Sequence, residues 1–168
     1  ALLADFVKEL RADGHTISHL DLGGGLGVPY RLDQPPPPAP AAYAAIIRKH
    51  LAGLGCQLIL EPGRLLVANA GILVTRVIYV KEGEGKTFVI VDAAMNDLIR
   101  PTLYEAHHDI WPVHAKQAGE KSVLVDVVGP VCESGDYLAL DRAMPLPKEG
   151  DLLAVMTAGA YGAVQACT

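Results

Sequence analysis

The stretch Glu61-Pro62-Gly63-Arg64 constrains this chain more than any other. The apolar run Leu58-Ile59-Leu60 before it is short enough for one buried strand, and Leu65-Leu66-Val67-Ala68 after it can start a helix. A strand that hands over to a helix N-terminus points backbone N–H groups at whatever binds there, which suits an anion. Gly63 lets the backbone come close, and Arg64 offers a fork that matches a carboxylate or phosphate. Glu61 is the misfit: a carboxylate beside an anion site makes sense when the ligand also carries a cationic or protonatable part. A ligand with an anionic tail and a basic ring satisfies both.

The residues around this stretch set the architecture of the first part. Leu2, Leu3, Phe6, Val7 and Leu10 fall at helical spacing, so residues 1–13 read as a helix that Gly14 can end. Residues 17–22 read as a short strand running into Gly23-Gly24-Gly25-Leu26-Gly27. Such a run lets main-chain amides approach a ligand, phosphate being the usual one, and a plain tight turn explains it equally well. Residues 33–40 hold four consecutive prolines and read as a stiff surface loop in polyproline II form. Residues 41–54 read as a helix and 56–60 as the strand that leads into Glu61. Helix and strand alternate up to about residue 70, the rhythm of a parallel α/β unit with ligands at the carboxyl ends of its strands.

From residue 71 the rhythm changes. Residues 72–80, 87–91 and 123–128 are rich in Ile and Val and read as strands, with 81–86 a polar hairpin turn. Weaker strand patterns cover 137–140, 151–155 and 163–166, and no long amphipathic helix is present. The expectation is α/β for residues 1–70 followed by an all-β barrel or sandwich for 71–168. Four stretches of this second part carry chemistry. Arg100 and Tyr104 flank Pro101 and both can bind a carboxylate, although a surface turn with a packed Tyr fits the spacing as well. His107, His108 and Asp109 lack a further ligand at recognisable spacing, so no metal is expected. Gly129-Pro130-Val131-Cys132-Glu133-Ser134-Gly135-Asp136 follows the strongest strand: Cys132 can move a proton and Glu133 can hold an ammonium, or the Cys is simply buried in a turn. In Ala158-Gly159-Ala160-Tyr161, small neighbours would let Tyr161 lie against a flat ring, and a tight turn is the other reading.

Composition narrows the partners. A net charge of -5 gives no basic patch, so nucleic acid is not expected. No apolar run approaches the roughly 20 residues of a membrane helix. The cysteines Cys56, Cys132 and Cys167 are far apart and odd in number, which argues against a disulfide framework and fits a reducing cytoplasm.

Taken together and in order, Leu20-Asp21-Leu22-Gly23-Gly24-Gly25-Leu26-Gly27, Glu61-Pro62-Gly63-Arg64, Arg100-Pro101-Thr102-Leu103-Tyr104, the Cys132 stretch and Ala158-Gly159-Ala160-Tyr161 resemble the diaminopimelate decarboxylase branch of the fold type III pyridoxal-phosphate enzymes. Glu133 after Cys132 favours this branch over the ornithine enzymes. The resemblance implies the last strands of a (β/α)8 barrel and then a Greek-key β-barrel or sandwich. It implies a pyridoxal 5'-phosphate whose phosphate lies on the amides of Gly23, Gly24, Gly25 and Gly63–Arg64, with Glu61 on the ring nitrogen. It gives Arg64, Arg100 and Tyr104 the distal carboxylate of meso-diaminopimelate, Glu133 its ammonium, Cys132 the protonation of the α-carbon, and Tyr161 contacts to cofactor and substrate. It also implies a homodimer in which the Cys132 loop reaches the partner's site.

One departure is large. The family attaches its cofactor through a lysine on the first barrel strand, and Lys8, Lys49, Lys81, Lys86, Lys116, Lys121 and Lys148 lie in none of the matching motifs. The chain starts at Ala1 without Met, inside a helical pattern, and a fragment without catalysis of its own is the expectation. The rivals are a parent acting on arginine, ornithine or carboxynorspermidine, and a non-catalytic binding module. Cys132, Arg64 and Tyr161 together argue against the module, since a binder needs no proton donor.

Overall fold

The computed structural model describes residues 2–114 and 121–167, so Lys116 lies outside the described residues. Two compact units divide the chain. One comprises residues 1–28 and 36–65, the other residues 29–35 and 66–168.

In the first unit, helix α1 (Leu2–Ala12) precedes strand β1 (His19–Asp21), and helix α2 (Pro40–Leu51) precedes strand β2 (Gln57–Ile59). Gly14 ends α1 at φ 93°, while the His15 amide returns to the Leu10 carbonyl at 2.9 Å. Pro40 opens α2, where its missing N–H costs nothing. A one-turn 3₁₀ segment, Ala52–Leu54, extends α2 to the end of the expected helix. The two strands pair in parallel, with Leu20 opposite Leu58 and Asp21 opposite Ile59. Ala4, Val7, Leu51 and Leu54 form the core, with Leu20 and Leu58 packed against it. Leu2, Leu3 and Phe6, which share the helical pattern of α1, are exposed. Helix α3 (Gly63–Val67) follows β2 after three residues.

The second unit is a mixed six-stranded sheet of order β5-β8-β3-β4-β6-β7. Its strands are β3 (Leu73–Glu82), β4 (Thr87–Val91), β5 (Ile110–Pro112), β6 (Ser122–Val128), β7 (Tyr137–Pro145) and β8 (Leu152–Val155). All six place residues in one core, among them Val77, Val91, Ile110, Val127, Leu138 and Leu153. The outermost strands also approach each other, because Arg142 of β7 donates to the carbonyl of His108 at 2.7 Å, just before β5. The sheet is therefore barrel-like and nearly closed, which removes most of its free edge. The expected barrel or sandwich takes this single-sheet form, with β4 and β6 running parallel inside it.

Three local expectations are corrected. Residues 163–166 are not a strand: Ala163–Gln165 is a 3₁₀ turn closed by i→i+3 bonds, from the Gln165 amide to Gly162 and from the Ala166 amide to Ala163. Val164, the one strand-forming side chain there, is exposed and so gains nothing from a sheet. The hairpin turn is tighter than residues 81–86, since β3 continues to Glu82 and Gly83 donates to the Lys86 carbonyl at 2.9 Å. Residues 100–104 are a one-turn helix, α4 (Arg100–Tyr104), with Pro101 in its first turn.

Candidate functional site

The parallel register of β1 and β2 brings the loops after both strands to the same end of the pair. The Leu22 amide continues the ladder to Ile59 at 3.0 Å, and the Glu61 amide donates to the Gly23 carbonyl at 2.8 Å. Contact at Gly24 is closer still. A Cβ built there would lie 2.6 Å from the Glu61 carbonyl oxygen, so any other residue would force the two loops apart. One Oε of Glu61 would be 3.9 Å from a Cβ at Gly23. The carboxylate thus lies against the glycine run. Two amides of the motif are already engaged: Gly23 donates to Asp21 Oδ1 at 2.8 Å, and Gly63 donates to the Glu61 carbonyl at 2.8 Å. These bonds shape the loops. Gly24 and Gly25 are exposed, and a Cβ at Gly25 would meet nothing within 4 Å. Arg64 stands half-buried in the first turn of α3. An exposed glycine run with a carboxylate against it and a guanidinium at the start of the following helix is a donor set that fits a phosphate tail joined to a protonated ring.

The second unit gathers a different set. Arg100 of α4 is buried, and its guanidinium lies over the ring of Tyr30 at 5.1 Å and the ring of Tyr161 at 5.7 Å. Its Nη1 donates to the Tyr30 hydroxyl at a long 3.4 Å, and its Nε is buried without a hydrogen-bond partner. Tyr161 holds a left-handed backbone at φ 60°. The turn before it is compact because two glycines touch: a Cβ on Gly71 would lie 2.6 Å from the Cα of Gly159. Tyr104, also on α4, is exposed.

Cys132 and Glu133 are exposed on the loop between β6 and β7. The base of that loop is fixed by Asp136, which is buried. Its Oδ1 accepts the Met95 amide at 2.6 Å and its Oδ2 the Val131 amide at 2.7 Å. Two further bonds join the loop to α4: the Thr102 hydroxyl donates to the Gly135 carbonyl, and the Tyr137 hydroxyl to the Pro101 carbonyl at 3.3 Å. The residues that carry Cys132 and those that carry Arg100 are thereby held in one assembly. Glu133 Oε1 accepts the Gly135 amide at 3.3 Å.

The two histidines go to separate partners. His107 bonds Asp109 at 2.8 Å through Nε2 and accepts from Arg142 at 3.1 Å through Nδ1. Burial lowers the guanidinium pKa of Arg142, and Asp109 opposes that shift. His108 is fully buried, its Nδ1–H donating to the Met156 carbonyl at 2.9 Å, and its ring stands edge-on to Tyr30 with centroids 5.3 Å apart. Burial pushes the His108 pKa down, the Met156 carbonyl opposes that shift, and the nearby guanidinium groups of Arg100 and Arg142 deepen it. Among the described residues no group of three or more His, Cys, Asp or Glu could hold a metal ion. Nor is any described helix long and apolar enough to cross a membrane. Sequence reasoning passed over Tyr30 and His108 as parts of the Arg100 site. Tyr30 is distant in sequence and borders the proline insert, and no periodicity points to it.

The chain, across both units, matches the family model described as the C-terminal sheet domain of pyridoxal-dependent decarboxylases over residues 4–159, and it belongs to that family. Within the family, its similarity is to diaminopimelate decarboxylases. It is 54% identical over 162 residues to the diaminopimelate decarboxylase of Pseudomonas aeruginosa and 50% identical over 162 residues to that of Zymomonas mobilis. Each match covers 96% of this chain and 38% of the relative. The crystal structure of Helicobacter pylori diaminopimelate decarboxylase complexed with L-lysine superposes with a TM-score of 0.86 at 41% identity, covering 98% of this chain and 40% of that one. The chain thus spans about two fifths of the length of these relatives.

Proposed function

We propose that this chain supplies the C-terminal part of an enzyme that removes carbon dioxide from the D-configured end of meso-diaminopimelate and leaves L-lysine. The observation that carries the reading is a buried, carboxylate-seeking Arg100 on α4, together with the tie from α4 that fixes where the Cys132 loop presents its exposed thiol. The identity of about one half to named diaminopimelate decarboxylases supports the same substrate.

Pyridoxal phosphate, when bound, supplies an electron sink for the pair left behind as carbon dioxide departs. The chain's own residues do the rest. The amides of Gly24 and Gly25, with Arg64, receive the phosphate, while the Gly23 and Gly63 amides and Pro62 keep the two loops in shape. Glu61 accepts a hydrogen bond from the protonated ring nitrogen and so keeps that charge in place. Arg64, Arg100 and Tyr104 bind the distal carboxylate, and Glu133 binds the distal ammonium, so the far end of the substrate is read by charge. The Cys132 thiol gives its proton to the α-carbon, the S–H bond breaking as the C–H bond forms. Tyr161 lies against cofactor and substrate. Cys132 and its neighbours are exposed on a loop held only at its base, which suits a homodimer in which the loop completes the partner's site. The first unit, with its parallel strands and intervening helix, serves as the last part of a (β/α)8 barrel.

Carbon dioxide release by the full-length parent tests this. It should turn over meso-diaminopimelate and leave arginine, ornithine and carboxynorspermidine untouched, and Cys132→Ala should lower kcat by roughly 100-fold or more, the usual scale for losing a proton donor. Preference for another basic amino acid would overturn the substrate. No turnover of any of them would favour a binding module. The chain alone, given pyridoxal phosphate, should release none.

A further inference from the structure

We infer that Tyr30 is a positioning residue for Arg100, holding the guanidinium where the substrate's distal carboxylate arrives, and that the buried ring of His108 fixes Tyr30 in turn. The inference rests on the proposed role of Arg100. Three observations carry it.

First, Arg100 is a buried cation left open. It is 7% exposed, its Nε has no partner, and among the described residues no carboxylate lies within ion-pair distance. A guanidinium has five donors in a fixed plane, and among the described residues the side-chain hydrogen bond that Arg100 makes is the long one to Tyr30. A charge so placed calls for an anion to complete it.

Second, aromatic rings rather than ions hold it meanwhile. Tyr30 and Tyr161 offer π faces at 5.1 and 5.7 Å. Tyr161 was already assigned to the cofactor and substrate. Tyr30 has no such task, so its contribution is the placement of Arg100. An aromatic face restrains the guanidinium without occupying the donors a carboxylate needs.

Third, Tyr30 is itself held. His108 is fully buried, anchored by the Met156 carbonyl, and meets the Tyr30 ring edge-on at 83°. Its neutral form adds no second cation beside Arg100. Tyr30 belongs to residues 29–35, the short segment that joins the sheet unit while its sequence neighbours on both sides belong to the other. That excursion brings the ring to Arg100.

The experiment uses the full-length parent with its cofactor. Tyr30→Leu should raise KM for meso-diaminopimelate roughly tenfold, with kcat changed less than about threefold, because the ring's cation–π restraint is lost and the proton donor is untouched. Tyr30→Phe should stay within about threefold of the wild type in KM, since the ring does the holding and the hydroxyl contact is long. Inhibition separates positioning from general damage. Tyr30→Leu should weaken L-lysine, which keeps the distal carboxylate, by the same factor as KM, and should leave cadaverine, which lacks it, unchanged. Equal weakening of both inhibitors, an unchanged KM, or a fall confined to kcat would overturn the inference. If Tyr30→Leu does not fold, Tyr30→Met fills the space without a π face and carries the same expectations. Arg100→Lys separates the two readings. If it leaves KM unchanged, the role of Arg100 fails and this inference with it. If it raises KM while Tyr30→Leu does not, only the positioning role of Tyr30 fails.

Discussion

Replacing Asp136 by Asn changes one atom of a buried side chain and should loosen the loop that carries Cys132. The carboxylate accepts two backbone amides, from Met95 at 2.6 Å and Val131 at 2.7 Å, one on each oxygen. Asn keeps the shape but offers one acceptor. Whichever way the amide is turned, one of the two N–H groups then faces an NH₂. A hydrogen bond to a charged group contributes about 1.5–3 kcal/mol, and an unpaired buried donor costs about 1–3 kcal/mol. The two overlap, so the expected loss is about 2–4 kcal/mol. The side chain has no room to escape, because a Cβ at Gly129 would sit 2.4 Å from Oδ2. Urea unfolding of the full-length parent, followed by circular dichroism, measures the loss. Asp151→Asn is the control, since Asp151 accepts the Lys148 amide at 2.8 Å in an exposed turn and should cost less than about 1 kcal/mol. Steady-state kinetics supply the second readout, with kcat falling more than KM rises, because Cys132 is displaced while Arg100 stays. If Asp136→Asn is no more sensitive to urea than Asp151→Asn and keeps its kcat, the Cys132 loop is not anchored by this carboxylate.

Other perturbations have equally definite outcomes. His108 has its pKa held below the ordinary 6.5 by burial, so below pH 6.5 the unfolded chain binds a proton the folded chain refuses. Stability should be level above that pH and decline by up to about 1.4 kcal/mol per pH unit below it, until the folded imidazole is protonated too; His108→Phe should remove that part of the slope in pH-dependent thermal melts. Gly159→Ala would put a methyl 1.9 Å from the Val67 carbonyl oxygen, backbone against backbone, and should abolish accumulation of folded protein or lower its melting temperature sharply. Gly24→Ala meets the Glu61 carbonyl at 2.6 Å and should weaken pyridoxal phosphate retention, read as loss of the bound cofactor's absorbance on dialysis. Glu61→Gln in the parent should cut the decarboxylation rate far more than it weakens cofactor binding, and equal losses would mean that Glu61 only helps hold the ring.

How much was legible beforehand depends on the range of the interaction involved. Helical spacing at Leu3, Val7 and Leu10, the β-branched run from Thr87 to Val91, and glycine runs directly after short apolar runs are properties of neighbours in sequence, and the elements there formed as read. So did the rhythm that puts a loop after each of two parallel strands, and their register then delivers both loops to one end. An element made by pairing alone escaped. β5 has three residues, one of them proline, and β-pairing with β8 rather than local preference makes it a strand.

Sequence alone determined the alternation of the first unit, the strand-rich second part, and the residue types fit for phosphate, carboxylate and proton transfer. Only tertiary structure decided that β4 and β6 run parallel, that residues 29–35 join the sheet unit, and that Asp136 reaches back to Met95. Glu61-Pro62-Gly63-Arg64 could be read at once because a turn's chemistry is written in adjacent residues. The Arg100 site could not, since Tyr30 lies 70 positions away and His108 is held by Met156, 48 positions on. Contacts at that separation leave no period or spacing in the chain. They exist only once burial of the common core has brought the segments together.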